Sequence, residues 1–460
     1  MQVESLAFGG EGIARVQRED KSMVVFLENV VPGDLVKARI IKKKRNFARA
    51  AVVEILKPSD VRIQPRCPYF SRLGMIGCGG CTWQFLDVTH QLKIKEQQVR
   101  DALQRTGKIQ DDVVLPAIGG EAWYYRNKME FSFSHTPAGV LSLGFHLKRR
   151  HYDLVELEEC FLLEPFAGEM VSAVRSFFQK LTAENALDPE MKLLSFTIRV
   201  GKYSGQIMLI ISAENGEEHF MEAFKKEMLK FCSDKKLSLA SLFFLHVINR
   251  KGRPKRFVEN LVYGSPVIEE KLCLPSGHML RFEISPQAFF QPNTKQAEIL
   301  YSKAMEAAGL TGHEIVFDLY CGTGTIGLFC AQLSKKVYGI ELNASAIANA
   351  NSNAKLNAIT NSEFIVGDVQ NVLSDLPKNP DVVMVDPPRN GLAPKVIETL
   401  LALVTPRIVY ISCNPVALAR DASLLSKGNY YLESVQPVDM FPQTYHIENV
   451  ALFRKRPMTV

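Results

Sequence analysis

The chain has 460 residues, 47% hydrophobic and 23% charged, with 55 Lys and Arg against 49 Asp and Glu for a net charge of +6. That length exceeds one ordinary core and implies two or three domains, and the composition excludes a disordered or fibrous chain. There is no run of about 18 apolar residues and no charged n-region ahead of an apolar stretch, so neither a membrane-spanning helix nor a secretory leader is expected; a cytoplasmic home follows, where the nine cysteines stay reduced.

Residues 1–58 alternate short β-branched runs with turn signals. Val24–Leu27, Leu35–Ile41 and Ala48–Ile55 are the clearest runs, and Gly9-Gly10-Glu11-Gly12 and Pro32-Gly33-Asp34 punctuate them. Several short strands in so few residues predict a small OB-like β-barrel. Lys37, Arg39, Lys42, Lys43, Lys44, Arg45 and Arg49 follow one another with no acid between them. With Lys148-Arg149-Arg150 and the Arg250–Arg256 run, they favour a polyanionic partner, because phosphate contacts supply much of nucleic-acid affinity. The segment resembles a TRAM domain, an RNA-binding barrel found on RNA-modifying enzymes.

Lys57-Pro58-Ser59-Asp60 reads as a linker into a central α+β domain, 59–285. Gln91–Arg105 has Leu92, Val99 and Leu103 on one helical face, and this helix is expected to pack on the C-terminal domain. Lys128–Ser134 and Ile207–Ile211 are expected strands, and Phe220–Phe231 a helix. Cys67, Cys78, Cys81 and the distant Cys160 could ligate a metal or a [4Fe–4S] cluster, and glycines flanking the Cys78/Cys81 pair leave backbone room for a cluster. Structural zinc on four thiolates is the chemical rival. Cys232, Cys273, Cys321 and Cys330 lack spacing partners and read as ordinary thiols, and the nine histidines form no metal-like pair.

From 286 to 460 strands and helices alternate, predicting a Rossmann-like doubly wound α/β sheet. Ile315–Asp318 is a buried-strand candidate, and Gly322-x-Gly324-x-x-Gly327 opens the following helix. Glycines there allow a tight turn and a close backbone approach to a ligand. Glu341 ends the next strand, placed to hold ribose hydroxyls, and Asp368 closes a third, where an acid commonly meets an adenine ring. Alone, this pattern fits a dinucleotide or S-adenosylmethionine. Asp386-Pro387-Pro388-Arg389 after the fourth strand turns the reading toward methyl transfer to bases or amines.

The fifth strand ends on a thiol, Cys413, ahead of Asn414-Pro415 and an expected helix whose N-terminus should lower the thiol pKa. A pyrimidine C5 is a poor nucleophile. Thiolate addition at C6 makes C5 electron-rich, and a base must then remove the C5 proton so that the thiol can leave. Glu448, in Thr444-Tyr445-His446-Ile447-Glu448, is the candidate base. The target base must leave its stack to reach the thiol, which favours a loop or unpaired uridine. Phe289 and Phe290 are candidates for stacking on it, with core packing an equal explanation.

Phe289-Phe290-Gln291-Pro292-Asn293, the glycine loop, Asp386–Gly391, Ser412–Pro415 and His446–Glu448 occur in the order of the RNA 5-methyluridine methyltransferases, and the chain resembles their TRAM-bearing 23S ribosomal RNA branch over nearly its whole length. The resemblance implies S-adenosylmethionine-dependent uracil-C5 methylation, with Cys413 as nucleophile and Glu448 as proton acceptor. It implies cofactor contacts at Gln291, Tyr320, Glu341, Asp368 and Asp386, and a [4Fe–4S] cluster on Cys67, Cys78, Cys81 and Cys160. The family usually has a shorter gap between its first two cluster cysteines, so Arg72–Ile76 looks like an insertion. Cytosine-C5 enzymes usually place their thiol beside the Asp-Pro-Pro-type motif, which has no cysteine here, so uracil is preferred. RNA is the expected partner, with no membrane and no DNA, and a monomer is the default. The alternatives are a tRNA uracil-C5 enzyme, an amino-group methyltransferase that does not use Cys413, and an RNA-binding module with a decayed site.

Overall fold

The structure is a computed structural model that describes all residues except 19–20, 151, 251, 253–254, 374–375, 377–378, 404 and 458–460. Of the basic run at 250–256, Lys251, Arg253 and Pro254 therefore lie outside the described residues. Two compact units divide the chain: Met1–Gln91 with Glu121–Ile268 and Gln443–Tyr445, and Leu92–Gly120 with Glu269–Pro442 and His446–Val460.

In the first unit, β1 (Val3–Leu6), β2 (Gly12–Arg18), β3 (Lys21–Leu27), β4 (Leu35–Lys43) and β5 (Phe47–Lys57) form a sheet in the order β1-β2-β3-β5-β4. The β3–β5 pair is parallel and the others antiparallel. The sheet closes on itself, because a Gln2–Leu35 bridge joins its two edges and Val3 N–H donates to Asp34 O at 2.9 Å. Val3, Ala14, Val25, Leu27, Val36, Ala48 and Ala50 fill the interior. A Cβ at Gly12 would lie 2.2 Å from Val30 Cγ2, so only glycine fits that crossing. The linker is tied down by the buried Asp34, whose carboxylate accepts Ser59 N–H at 2.9 Å and pairs with Arg62 at 2.5 Å.

A seven-stranded sheet follows in the same unit, built from β6 (Lys128–His135), β7 (Leu141–His146), β8 (Leu154–Val155), β9 (Lys192–Val200), β10 (Gln206–Glu214), β11 (Ser238–Ile248) and β12 (Arg256–Gly264) in the order β12-β11-β10-β9-β6-β7-β8. Between these strands run α2 (Phe166–Ala183) and α3 (Met221–Asp234). Phe178 of α2 meets Phe133 of β6 edge-on at 5.2 Å and Phe224 of α3 at 5.6 Å, so one aromatic ring joins both helices to the sheet.

In the second unit, α1 (Val88–Ala102) runs on into a π turn, Leu103–Gly107, and its buried Val99 and Leu103 join the core with Leu418 and Ala422. The hairpin β13 (Ile268–Cys273) and β14 (Met279–Ile284) precedes α4 (Thr294–Ala308). Then come β15 (Ile315–Leu319), α5 (Thr325–Ala331), β16 (Lys336–Glu341), α6 (Ala344–Leu356), β17 (Ser362–Val366), the single turn α7 (Val369–Val372), β18 (Val382–Val385), α8 (Pro394–Leu403), β19 (Arg407–Ser412), α9 (Pro415–Lys427), β20 (Tyr430–Val438) and β21 (Glu448–Lys455).

The sheet order is β17-β16-β15-β18-β19-β21-β20. β21 runs antiparallel to both neighbours and the other six strands are parallel, a Rossmann-like doubly wound sheet with one reversed strand. The onset of strict alternation at 286 missed the β13–β14 hairpin. That hairpin joins the second unit because Asn357 and Asn353, at and near the end of α6, accept Arg281 N–H at 2.8 Å and Glu283 N–H at 2.9 Å. No helix among the described residues is long and apolar enough to cross a membrane.

Candidate active site

Five parallel strands deliver five side chains to one edge of the second unit's sheet. Tyr320 follows β15, Glu341 ends β16, Asp368 follows β17, Asp386 follows β18 and Cys413 follows β19. Because β21 is reversed, its first residue, Glu448, reaches the same edge, with Asn449 opposite Ser412 in register. These six and Gln291 line a single cleft of about 870 Å³. Every residue named from the sequence as nucleophile, base or cofactor contact is thus in that cleft, where an open α/β sheet binds ligands.

The glycine loop is shaped by conformation and by space. Tyr320 (φ +64°), Gly322 (φ +54°) and Gly324 (φ +79°) are all left-handed, and for a tyrosine that backbone is strained. A Cβ at Gly324 would lie 2.8 Å from Ala350 Cβ, whereas one at Gly322 would meet nothing, which leaves open room beside that peptide. Glu341 accepts Gly322 N–H at 3.3 Å and Asn343 N–H at 2.9 Å, so its carboxylate braces the loop. Asp368 caps α7 by accepting Gln370 N–H at 2.9 Å.

Burial dominates the electrostatics. It pushes Asp386 up to about 7 and, aided by Asp386, raises Glu448 well above the usual carboxylate range. The Cys413 thiol is pushed up to about 11, first by burial and then by Glu448, while Arg389 opposes the shift. The expected lowering by the helix N-terminus is overturned. Asn414 caps α9 instead, accepting Val416 N–H at 3.0 Å, and the desolvated carboxylates outweigh any benefit from the dipole. In the free protein at neutral pH the thiol is protonated.

Several residues in or behind the cleft carry no mark in the sequence. Tyr301, fully buried on α4, hydrogen-bonds Gln291 and feels Asp386, Glu448 and Asp318. Phe441 and His446 also line the cleft, and no motif marked Phe441. Arg389 stood in the Asp-Pro-Pro-Arg motif without an assigned role. Phe289 and Phe290, alike in sequence, separate here: Phe289 is 68% exposed in the cleft, and Phe290 is buried against Phe282 at 5.8 Å.

Four cysteines of the first unit, Cys67, Cys78, Cys81 and Cys160, influence one another electrostatically. Cys81 feels the charges of Cys78, Cys160 and Cys67, Cys78 feels those of Cys160 and Cys67, and burial raises all four thiols. Gly80 N–H donates to Cys78 Sγ at 3.3 Å. Among the described residues, no three Cys, His, Asp or Glu side chains form a group that could hold a metal ion. Arg72–Ile76 closes on itself, with Arg72 and Met75 exchanging N–H···O bonds of 3.0 Å each and Gly74 at φ +78°. Tyr69 O accepts Cys78 N–H at 2.7 Å, so the extra residues leave the chain on either side in register. Cys232, Cys321 and Cys330 are buried and Cys273 is half-buried.

Residues 87–371 match the family described as tRNA (Uracil-5-)-methyltransferase, residues 2–53 match the TRAM domain, and residues 310–448 match a methyltransferase domain. An "Uncharacterized RNA methyltransferase" of Bacteroides thetaiotaomicron is 36% identical over 98% of this chain and 100% of its own length. One of Protochlamydia amoebophila is 37% identical over 92% of this chain and 98% of its own. The fold also matches a Pyrococcus abyssi tRNA (uracil-54, C5)-methyltransferase solved with S-adenosyl-L-homocysteine, with a TM-score of 0.71 and 24% identity over 98% of this chain and 99% of that one. By sequence, this chain belongs to the RNA (uracil-5-)-methyltransferase family and carries a TRAM domain at its N-terminus.

Proposed function

We propose that the protein methylates C5 of an unpaired uridine in 23S ribosomal RNA through a covalent Cys413–C6 adduct, acting in the cytoplasm as a monomer. The observation that carries this reading is the convergence of Cys413, Glu448 and the acidic strand ends on one cleft. When bound, S-adenosylmethionine supplies an electrophilic methyl group and a positive charge. The residues fit it: Glu341 and Asp368 offer carboxylates at two strand ends, the loop at Gly322 leaves open space, and Gln291, Tyr320 and Asp386 complete the lining.

The Cys413 thiolate bonds C6, and the C5–C6 π electrons pass into the ring as an enolate. C5 then takes the methyl group. Glu448, as carboxylate, removes the C5 proton, the C5–C6 double bond re-forms, and the S–C6 bond breaks to return the thiolate. The high pKa values of Cys413 and Glu448 disfavour both anions together. The scheme does not need them together. Negative charge sits on sulfur during attack, while Glu448 is still protonated, and Glu448 gives its proton to solvent after the sulfur charge has been consumed. That proton is the one the net methylation releases. Arg389, which favours the charged forms of both groups, eases each step.

The resemblance also implies a [4Fe–4S] cluster on Cys67, Cys78, Cys81 and Cys160, although among the described residues these side chains do not come together as a group that could hold a metal ion. Its role is to hold this segment's fold, because no redox step enters the reaction. The 23S assignment rests on the resemblance to the TRAM-bearing ribosomal branch; the family description and the Pyrococcus abyssi enzyme favour tRNA as the second reading.

The test is incubation with 5-fluorouridine-substituted RNA. Fluorine does not leave as a proton does, so a denaturant-stable adduct is expected on Cys413 and absent in Cys413→Ala. Equal methylation by wild type and Cys413→Ala would sink the covalent scheme. Ribosomal RNA and tRNA from cells lacking the enzyme, supplied separately, decide the substrate.

A further inference from the structure

We propose that a groove in the first unit, walled by the Arg72–Ile76 hairpin, binds an unpaired stretch of RNA apart from the uridine that meets Cys413. This inference rests on the reading of the protein as an RNA-modifying enzyme. The groove encloses about 490 Å³ between the barrel's Ile41 and Val52, the hairpin and the Lys148–Arg150 turn.

Its apolar wall faces water. Ile41 is 62% exposed, Leu73 42%, Met75 43% and Ile76 50%. Single exposed aliphatics are ordinary, but a cluster of four beside a cavity marks an interaction site. The hairpin is also preorganised: its Arg72–Met75 hydrogen bonds are internal, and Ser71 Oγ donates to Met75 O at 3.3 Å. A wall already fixed costs little ordering on binding.

Charge identifies the occupant. Four cations, Arg72, Lys148, Arg149 and Arg150, line the groove against one carboxylate, Glu28. Glu28 pairs with Lys148 at 3.4 Å and also with Arg149; outside the groove lining Arg149 reaches Glu11 at 3.2 Å and Arg150, 55% exposed, pairs with Asp153 at 3.1 Å, so Arg72 and the run after Ile41 add the positive charge these pairs do not offset. Where β4 ends beside Ile41, Lys42, Lys43, Lys44 and Arg45 are all exposed, with no acid among them. Apolar surface framed by cations matches a strand that carries flat base faces and phosphates together. Duplex RNA hides its base faces and would reach only the rim, so an unpaired segment is the fitting ligand.

The probe is a single-stranded oligoribonucleotide carrying 4-thiouridine, with a duplex of the same length for comparison. Leu73→Asp with Ile76→Asp should weaken single-strand binding at least tenfold, and Leu73→Ser with Ile76→Ser by a smaller factor. Val140→Asp, at a 51% exposed position outside the groove, should stay within twofold of wild type. Photocrosslinks should map to the tryptic peptide Leu73–Lys93. Wild-type affinity in the Asp pair, equal loss in Val140→Asp, equal affinity for the duplex, or crosslinks confined to other peptides would each overturn the proposal, and unchanged RNA binding would leave the groove to a protein partner. Because the readout is binding, it is also made on Cys413→Ala, which should bind as wild type does; wild-type protein that binds here yet never methylates would sink the catalytic reading alone.

Discussion

Lys95 and Asp439 form an ion pair in which both side chains are buried, Nζ to Oδ1 at 2.6 Å, and Lys95 Nζ also donates to Phe441 O at 3.2 Å. Asp439 Oδ1 accepts Phe441 N–H at 3.1 Å, and Asn293 Nδ2 donates to Met440 O at 3.1 Å. A charge on α1 therefore fixes the turn that presents Phe441 to the cleft.

Lys95→Met leaves Asp439 buried without its partner, and such a loss costs about 3–5 kcal/mol. The urea midpoint should fall accordingly. Lys95→Met combined with Asp439→Leu should recover most of it, because a packed apolar pair needs no desolvation of charge. A double variant no more stable than Lys95→Met would contradict this account.

The Cys413 thiol, held up at about 11, sets how fast it alkylates in the free protein. Only the thiolate reacts, so iodoacetamide modification of Cys413 should rise about tenfold per pH unit from 7 to 10. Glu448 raises this thiol and Arg389 lowers it. Glu448→Gln should therefore speed modification at pH 9, and Arg389→Gln should slow it. Peptide mass spectrometry separates Cys413 from the other eight cysteines.

Much of the cleft was legible because its residues stand at strand ends. A β-run followed by an acid, a glycine turn or a thiol fixes both the element and the edge it serves, which is how Glu341, Asp368, Asp386 and Cys413 are read, whereas Tyr320 comes from the resemblance. Glu448 was named from its motif, but its route to the cleft depends on β21 running backwards, a tertiary fact without a local signal. Tyr301, Phe441 and the Lys95–Asp439 pair were invisible because their partners lie far off in the chain. The direction of the Cys413 shift failed for a related reason. Sequence showed the helix that follows the thiol but not the burial around it.

Asp318, fully buried beneath the glycine loop, is pushed up to about 8, chiefly by burial, with Asp386 and Glu341 adding and the Gly327 N–H opposing. Its pKa in the unfolded chain is near 3.8. The folded state thus holds a proton that the unfolded state loses. The corresponding stability is full below pH 4 and falls as pH rises toward 8, by up to about 1.4 kcal/mol per unit. Asp386, raised to about 7, acts in the same sense. Asp318→Asn removes one of these titrations, so its melting temperature relative to wild type should climb between pH 4 and pH 8. A difference that stays flat across that range would refute the shift.

The loop after Asp386 is held from behind by the buried Asp421. Its carboxylate accepts Leu392 N–H at 2.8 Å and Tyr410 O–H at 2.8 Å, while Arg420 donates to Asn390 O at 2.8 Å and Asn414 Nδ2 to Arg389 O at 3.0 Å. Gly391 makes that packing possible: its φ is +76°, and a Cβ there would lie 2.5 Å from Asp421 Oδ2 and 2.6 Å from Arg420 Nη2. Gly391→Ala must move either the loop or the carboxylate, and the loop carries Arg389, the cation whose charge acts on both Cys413 and Glu448. The expected result is a fall of tenfold or more in kcat for methylation, with S-adenosylhomocysteine affinity by calorimetry changed less than threefold, since the loop at Gly322 and Glu341 is untouched. If cofactor affinity fell in step with kcat, Gly391 would be serving the cofactor side of the cleft rather than the placement of Arg389.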